Sequence, residues 1–419
     1  MTVRPSDLPE PLVKPGPWPT PIQLLLLRAC LESGAEARGA WEEWSSIVNL
    51  DYLDHQSCYL LPMLDNNLRA IGVTGHPWLG RIKGYRRYIW AKNRRLLAQG
   101  SQLIGELRPI VGDELLVIKG TAVACRYYSD LGLRPMGDFD FMVKLELAPC
   151  VLKYLKASGW EASQWLEQQQ RIGLIPKALN FSNSHGHNME RSDGMEIDLH
   201  WNLMPDLCGT AVNQTFWDAA VPMRLPDGSQ VRTLELSDLL FHSCLHGLVF
   251  SHWRSTRWVV DAITLLQNNG SIRWQRLIDV AERFRYTLTL GTALEYLTST
   301  FPRQANIPEA VIHSLLECHH SAEEVDEYEE RFGLSSNGAK YPPGALTYYR
   351  RFRAHSEPQN RSWVEEIRSF ANFLLRRWDL PNLWLVFVFA PFRAARGICR
   401  KYLFQAGRAR SEASPEPTR

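Results

Sequence analysis

The chain has 419 residues, of which 45% are hydrophobic and 22% charged, as is ordinary for a globular protein of two or three domains. Its formal net charge is only +2, so the overall charge gives no argument for nucleic-acid binding. The eight cysteines form no Cys-x-x-Cys pair, which argues against a zinc ribbon and against a disulfide scaffold.

Three further features predict a cytoplasmic protein. The scattered cysteines fit the reduced thiols of a cytoplasm. The amino-terminal segment lacks the apolar core of a signal peptide. No apolar run approaches the ~20 residues that a membrane-spanning helix needs.

The chain before residue 111 is predicted to be mostly helical. Residues 1–19 are rich in proline and predict an irregular arm. Residues 20–110 predict an N-terminal helical region, which Thr20 and Pro21 begin as N-cap and first helical residue.

A stretch without any Asp or Glu runs from Asn66 to Gly105 within this region. Aromatic residues interleave there with eight basic ones: Arg69, Arg81, Lys83, Arg86, Arg87, Lys92, Arg94 and Arg95. Such a stretch could attract a triphosphate or an RNA backbone. A charge run is more often a solvated helix face countered by acids elsewhere, and we favour that interpretation.

Residues 111–233 predict an α/β core that brings two carboxylates together. An apolar run at 115–118 predicts a buried strand, and a helix-compatible segment follows it. A second apolar strand, 139–143, begins inside the sequence Asp138-Phe139-Asp140. Side chains alternate along a strand, so Asp138 and Asp140 point to one face and repel each other unless a cation lies between them. Mg²⁺ is the usual cation for such a pair when phosphates are bound.

A third acidic strand is predicted at residues 195–201, after the hairpin-turn sequence Ser192-Asp193-Gly194. Residues 174–188 are predicted to form the first strand of this hairpin. Glu196, Asp198 and His200 share one face of the second strand, because side chains alternate along it. Asp198 would join the first two carboxylates if the strands were neighbours.

The order of these motifs resembles the DNA-polymerase-β-like nucleotidyltransferase superfamily, and above all a poorly characterised family of bacterial nucleotidyltransferases. The abortive-infection toxin nucleotidyltransferases are similar at a greater distance. The resemblance is carried by Ile118-Lys119-Gly120, Tyr127, Arg134-Pro135, Asp138-Phe139-Asp140 and Asp198-Leu199-His200-Trp201. It is spread over residues 21–400 and is specific only from Leu115 to Trp201. The superfamily usually has Gly-Ser or Gly-Gly where this chain has Gly120-Thr121, and threonine keeps the hydroxyl.

The resemblance implies an α+β fold, with a small mixed-sheet nucleotidyltransferase core flanked by N- and C-terminal helical regions. It also implies that Asp138, Asp140 and Asp198 are catalytic and hold two Mg²⁺ ions, which would activate the triphosphate and the acceptor hydroxyl.

The remaining candidate residues would bind the nucleotide. The backbone N–H groups of Gly120 and Thr121 would take the outer phosphates at a helix N-terminus, with a further hydrogen bond from the Thr121 hydroxyl. Lys119 and Arg134 would balance the phosphate charge, although a structural ion pair is an equal alternative for Lys119. His200 would orient Asp198 or the acceptor.

Residues 234–340 predict a helical domain with two ambiguous pairs. His242 and His246 share a helix face at a spacing that can bind metal, but no Glu follows the first His, so buried helix histidines are favoured. Arg257 and Asp261 either pair along a helix or line the cleft, where Arg257 would meet a phosphate. These two interpretations carry equal weight.

His185 and His187 form a third pair, on the first strand of the predicted hairpin. They would face one way, as metal ligands do. Polar residues on an exposed hairpin are the favoured interpretation.

Residues 341–406 predict a C-terminal helical region, and residues 407–419 a disordered tail. An apolar run at Leu383–Ala390 precedes four basic residues: Arg393, Arg396, Arg400 and Lys401. An apolar patch beside a basic helix can rest on an anionic membrane surface. A terminal helix packed on the domain is modestly favoured over such peripheral contact.

The sequence therefore predicts a Mg²⁺-dependent nucleotidyltransferase that moves an NMP group from an NTP to an unidentified hydroxyl acceptor. One alternative is a non-catalytic nucleotide-binding or regulatory subunit encoded in a polysaccharide biosynthesis cluster, against which the complete acid triad argues. Another is a toxin-like enzyme that modifies RNA or protein, with Arg81–Arg95 as its acceptor surface.

Overall fold

The structure, a computed structural model, describes residues 18–163, 181, 185–205, 210–250, 255–268, 272–332, 349, 352–353, 363–377 and 386. Contacts between Cα atoms divide the chain into two compact units. The first contains the described residues up to 332 except Phe181, and the second contains Phe181 and those from 349 onward. The domain boundaries drawn from the sequence stay a prediction. The predicted tail and the run 383–390, apart from Val386, lie outside the described residues.

Five α-helices lie between residues 18 and 114: α1 (Pro21–Leu31), α2 (Gly34–Ile47), α3 (His55–Cys58), α4 (Leu61–Ala70) and α5 (Leu79–Val111). The Thr20 side chain accepts a hydrogen bond from the backbone N–H of Gln23, and the Gln23 side chain accepts one from the backbone N–H of Thr20, so α1 begins with a capping box. α5 crosses the sheet at Gly100, where a Cβ atom would lie 2.3 Å from the Phe139 ring. Only glycine allows so close an approach.

Seven strands of the described residues form one mixed sheet: β1 (Leu115–Val117), β2 (Phe139–Val143), β3 (Trp160–Ala162), β4 (Gly186–Arg191), β5 (Glu196–His200), β6 (Val221–Arg224) and β7 (Gln230–Thr233). Their order is β3-β4-β5-β2-β1-β7-β6. β2 runs antiparallel to β1 and parallel to β5. Every residue of β2 is buried, which explains why all of them except Asp140 are apolar.

Further helices surround this sheet in the same unit: α6 (Lys119–Tyr127), α7 (Ala148–Ala157), α8 (Thr210–Ala219), α9 (Leu236–Leu245), α10 (Arg257–Leu266), α11 (Trp274–Phe284), α12 (Thr287–Thr300), α13 (Glu309–Glu317) and α14 (Ala322–Phe332). α9 continues into a π-helical turn, His246–Phe250. A mixed sheet flanked by helices confirms the predicted α+β class.

The predicted hairpin appears as β4 and β5, which pair antiparallel through a turn with Gly194 at a φ of 80°. The part of its predicted first strand before residue 185 lies outside the described residues, apart from Phe181. In the second compact unit, α15 (Trp363–Arg377) contributes Ala371, Phe373 and Leu374 to a small apolar cluster with Phe352 and Val386.

A buried amide fixes the loop that leads into β2. Asn93 of α5 is fully buried. Its Nδ2 donates to the carbonyl oxygens of Leu131 and Arg134 at 2.6 and 2.8 Å, and its Oδ1 accepts from the Met136 N–H at 3.3 Å. One side chain of the N-terminal helices therefore positions the segment that precedes Asp138.

Replacing Asn93 with alanine should lower the free energy of unfolding by about 2–3 kcal/mol, because buried backbone groups of the loop lose their partners. Urea denaturation followed by tryptophan fluorescence measures this loss. Gln102→Ala, on the exposed side of the same helix, is the control and should cost no more than about 0.5 kcal/mol. An equal cost for both variants would show that other contacts hold the loop.

Candidate active site

Two carboxylates lie side by side in the middle of the sheet. The register of the parallel strands β2 and β5 places Asp140 directly opposite Asp198. Both residues are buried. Because facing residues of paired strands point to the same side of a sheet, the two carboxylates share one face, as expected if the strands were neighbours.

His200 belongs to the same group. One ligating atom from each of Asp140, Asp198 and His200 lies within 4.8 Å of the other two. His200 Nε2 lies 2.7 Å from Asp198 Oδ2, and its Nδ1 lies 3.3 Å from the Asn202 carbonyl oxygen, which orients the ring. Carboxylate oxygens and an imidazole nitrogen are suitable ligands for a divalent metal ion.

Asp138, the predicted third metal ligand, lies outside this group of three. It precedes the first residue of β2 and is half-buried. Burial, and then the charge of Asp198, raises the pKa of the Asp138 carboxyl. His200 was predicted to have an orienting role and was missed as a possible metal ligand. The alternation along β5, which places His200 on the face of Asp198, was the signal that could have indicated it.

The ammonium group of Lys119 lies between the two strand carboxylates. Its Nζ is 2.5 Å from Asp198 Oδ2 and 3.3 Å from Asp140 Oδ1. Lys119 begins α6 with a φ of 47°, a conformation that L-residues rarely adopt. The structure thus shows Lys119 in an ion pair, which was the alternative to phosphate binding.

The three carboxyl groups differ in how readily they ionise. Burial and the charge of Asp138 raise the pKa of Asp140 to about 8. Although burial opposes ionisation of Asp198, its neighbours His200 and Lys119 hold the pKa of that carboxyl well below its usual range. A dication that binds Asp140 and Asp198 must therefore compete with a proton and with the Lys119 ammonium.

Thr121 and Arg134, predicted to meet phosphate, are committed to other partners. The fully buried Thr121 hydroxyl accepts from the Asp140 N–H at 3.2 Å, which ties α6 to β2. Arg134 Nε and one terminal nitrogen each donate to Asp261 at 2.8 Å. A Cβ on Gly120 would lie 2.3 Å from the other terminal nitrogen of Arg134, so glycine is needed there.

The start of α6 keeps its predicted phosphate-binding chemistry. The first N–H groups of a helix, here those of Lys119, Gly120 and Thr121, have no carbonyl one turn earlier to accept from them. Such groups bind anions well. A role for Gly120 and Thr121 in binding phosphate stays a prediction.

Asp261 bonds Arg134 rather than Arg257, its neighbour one turn earlier on α10. The Tyr128 hydroxyl donates to Asp261 as well, at 2.8 Å. The Arg257 guanidinium lies over the Tyr59 ring, 4.3 Å from its centroid. A helix pair between Arg257 and Asp261, one of the two sequence interpretations, is therefore not formed.

The histidine pairs are embedded in the protein. The rings of His242 and His246 stack 5.5 Å apart, and burial lowers the pKa of His242 to about 3. Burial also lowers the pKa of His187 to about 4, while the His185 ring lies 5.2 Å from that of His200. His185 and His187 are half-buried rather than exposed.

The basic stretch is partly neutralised. Arg81 pairs with Asp51, and Arg86 pairs with both Asp65 and Asp130. Four basic residues of α5 are exposed and have neither a hydrogen bond nor an ion pair among the described residues: Lys83, Arg87, Lys92 and Arg94.

A mixed sheet that joins two strand-borne carboxylates beside a Lys-Gly-Thr helix start is the arrangement expected of a nucleotidyltransferase. Residues 54–302 match a family described as uncharacterised nucleotidyltransferase, and the chain belongs to this family. The match covers more than half of the sequence and every predicted site residue. No curated protein matches the chain. None of the described helices combines the length and the apolar content that crossing a membrane requires.

Replacing Lys119 with methionine should raise the affinity for Mn²⁺ in the absence of nucleotide by about tenfold, because the dication no longer has to displace an ammonium from the same oxygens. Isothermal titration of metal into the wild type and the variant measures this change. Lys83→Met, at an exposed lysine without a carboxylate partner, is the control and should leave the affinity unchanged. Unchanged or weaker binding by Lys119→Met would show that Lys119 does not occupy the metal position.

Proposed function

We propose that this protein is a Mg²⁺-dependent nucleotidyltransferase that moves an NMP group from an NTP to a hydroxyl acceptor. The observation that supports this most is the direct pairing of Asp140 with Asp198, beside His200, in a member of a nucleotidyltransferase family. The Lys119–Thr121 helix start next to these carboxylates offers N–H donors to an anion.

In this proposal, the acidic side chains and His200 bind the metal ions. Asp140, Asp198 and His200 would hold a divalent ion, and Asp138 at the strand start would supply the further carboxylate for a second one. Bound there, Mg²⁺ would neutralise phosphate charge and lower the pKa of the acceptor hydroxyl. The acceptor oxygen bonds to the α-phosphorus, the bond to pyrophosphate breaks, and the hydroxyl proton is lost to solvent.

The test is Mg²⁺-dependent binding and turnover of four labelled NTPs, with cell extract as the source of acceptor. Asp140→Asn and Asp198→Asn should each lower label transfer by about 100-fold or more, because they remove a metal ligand. Asp193→Asn, in the exposed turn between β4 and β5, is the matched control and should keep full transfer.

The other outcomes of this assay separate the alternatives. Metal-dependent binding without transfer in any extract would favour a non-catalytic nucleotide-binding subunit. The absence of metal-dependent binding to all four NTPs would overturn the nucleotidyltransferase proposal. The labelled product would identify the acceptor.

One surface favours a nucleic acid as the acceptor, which is a second candidate function. Lys83, Arg87, Trp90 and Arg94 recur on α5 at the spacing of a single helix face. All four are exposed, and the Arg94 guanidinium lies 5.6 Å from the centroid of the Trp90 ring. Cations that follow a backbone, with an aromatic ring for stacking, are typical of single-strand binding.

Neutralising this face with Lys83→Gln, Arg87→Gln and Arg94→Gln should weaken binding of a labelled RNA by about 10-fold or more at low salt, because phosphate contacts are lost. NTP affinity should stay unchanged. Arg81→Gln, whose side chain is already paired with Asp51, is the control for charge removal. Fluorescence anisotropy measures both affinities, and equal losses for RNA and NTP would contradict a separate acceptor surface.

A further inference from the structure

Three cationic side chains are candidates to bind the phosphates of a nucleotide here, and two of them are already paired. Lys119 lies between Asp140 and Asp198. Arg134 forms a two-pronged pair with Asp261. Neither side chain can turn to a phosphate without leaving a buried carboxylate unpaired, which is costly.

Arg257 is the third cation, and it is paired with no carboxylate among the described residues. Within the described part of the chain its guanidinium has no hydrogen bond and no ion pair, and its contact is the face of Tyr59. Its Nε is buried and has no hydrogen-bond partner among the residues that the structure describes. Buried donors are nearly always satisfied, so an orphaned guanidinium N–H requires an explanation, and a bound ligand is one.

The fold anchors the start of α10, which carries Arg257, near the start of α6, which carries Lys119. One turn further along α10, Asp261 bonds Arg134, and Arg134 lies against Gly120 at the start of α6. These contacts fix the beginning of α10 relative to the strand that carries Asp140.

The N-terminal helices hold the guanidinium from the other side. The Thr256 hydroxyl, at the start of α10, donates to the Gln56 carbonyl at 3.3 Å. Tyr59, three residues further on, lies under Arg257, and the His55 ring packs against it at 4.5 Å. A cation over an aromatic face keeps its N–H edge available for a ligand in the plane of the guanidinium.

We propose that Arg257, held on the ring of Tyr59, binds the outer phosphates of the nucleoside triphosphate. The proposal rests on the proposed function and assigns its phosphate subsite to Arg257 rather than to Lys119 or Arg134. Guanidinium groups recognise phosphate oxygens through two parallel N–H donors. The subsite would hold the β- and γ-phosphates during transfer and the pyrophosphate that leaves.

The test compares an NTP with its NMP, because only the NTP carries the outer phosphates. Arg257→Met should weaken Mg²⁺-dependent binding of a non-hydrolysable NTP by about 10–100-fold and binding of the NMP by less than about 3-fold. Isothermal titration gives both affinities. Arg126→Met is the matched control, because Arg126 also lies over a tyrosine ring but at the opposite end of α6, and it should change neither affinity.

Three further variants keep the test decisive if Arg257→Met unfolds. Arg257→Lys keeps the charge but loses the paired donors, so NTP affinity should fall while NMP affinity stays. Tyr59→Phe keeps the aromatic face and should bind NTP as the wild type does, whereas Tyr59→Leu should weaken NTP binding by about 3–10-fold.

Each remaining outcome has one meaning. Wild-type NTP affinity in Arg257→Met and Arg257→Lys, or equal losses for NTP and NMP, would overturn the subsite and leave the proposed function standing. Failure of the wild type itself to bind any NTP with Mg²⁺ would overturn both.

Discussion

Two carboxylates placed side by side in a buried sheet repel each other, and much of the structure around Asp140 and Asp198 offsets that repulsion. Lys119 provides the ammonium between them, at the cost of a left-handed backbone at the start of α6. Such strain, of the order of 1–3 kcal/mol, persists only where the surroundings enforce it. The short connection from β1 into the start of α6 therefore contains both the strained backbone and the cation that offsets the repulsion.

That connection depends in turn on a second buried ion pair. Arg134 lies on the Cα of Gly120 and is held by Asp261, which also accepts from Tyr128. Breaking a buried pair of this kind by removing one partner costs about 3–5 kcal/mol, because the other charge stays buried. Arg134 therefore acts on the site by positioning α6 against α10, and the family motif that contains it has a structural explanation.

Those features of the site that depend on local sequence patterns could be predicted from the sequence. Alternation along the strands was enough to place Asp138 with Asp140 on one face and Asp198 with His200 on another strand's face. That the two strands are neighbours was only a condition in the sequence analysis, and the structure supplies it. The sequence could not predict that Arg134 bonds Asp261 or that Arg257 stacks on Tyr59, because these partners are separated by more than a hundred residues and meet only when α10 packs on the core. The commitment of Thr121 to the Asp140 N–H likewise depends on how α6 lies against β2. The Thr121 hydroxyl therefore makes its hydrogen bond to the protein backbone, at the Asp140 N–H.

Helices outside the sheet position residues of the candidate site. Asn93 of α5 fixes the loop before Asp138, and Tyr59 supports Arg257. A side chain that supports a functional group must be rigid, and both residues belong to the unit that contains the sheet. Lys119 offsets only part of the charge of the two carboxylates, since one ammonium faces both of them. A dication that binds both carboxylates would have to displace this ammonium, and the phosphates held by Arg257 would bring further negative charge to the same site. Metal and triphosphate should therefore bind more tightly together than either binds alone, since each removes a charge that the other leaves uncompensated.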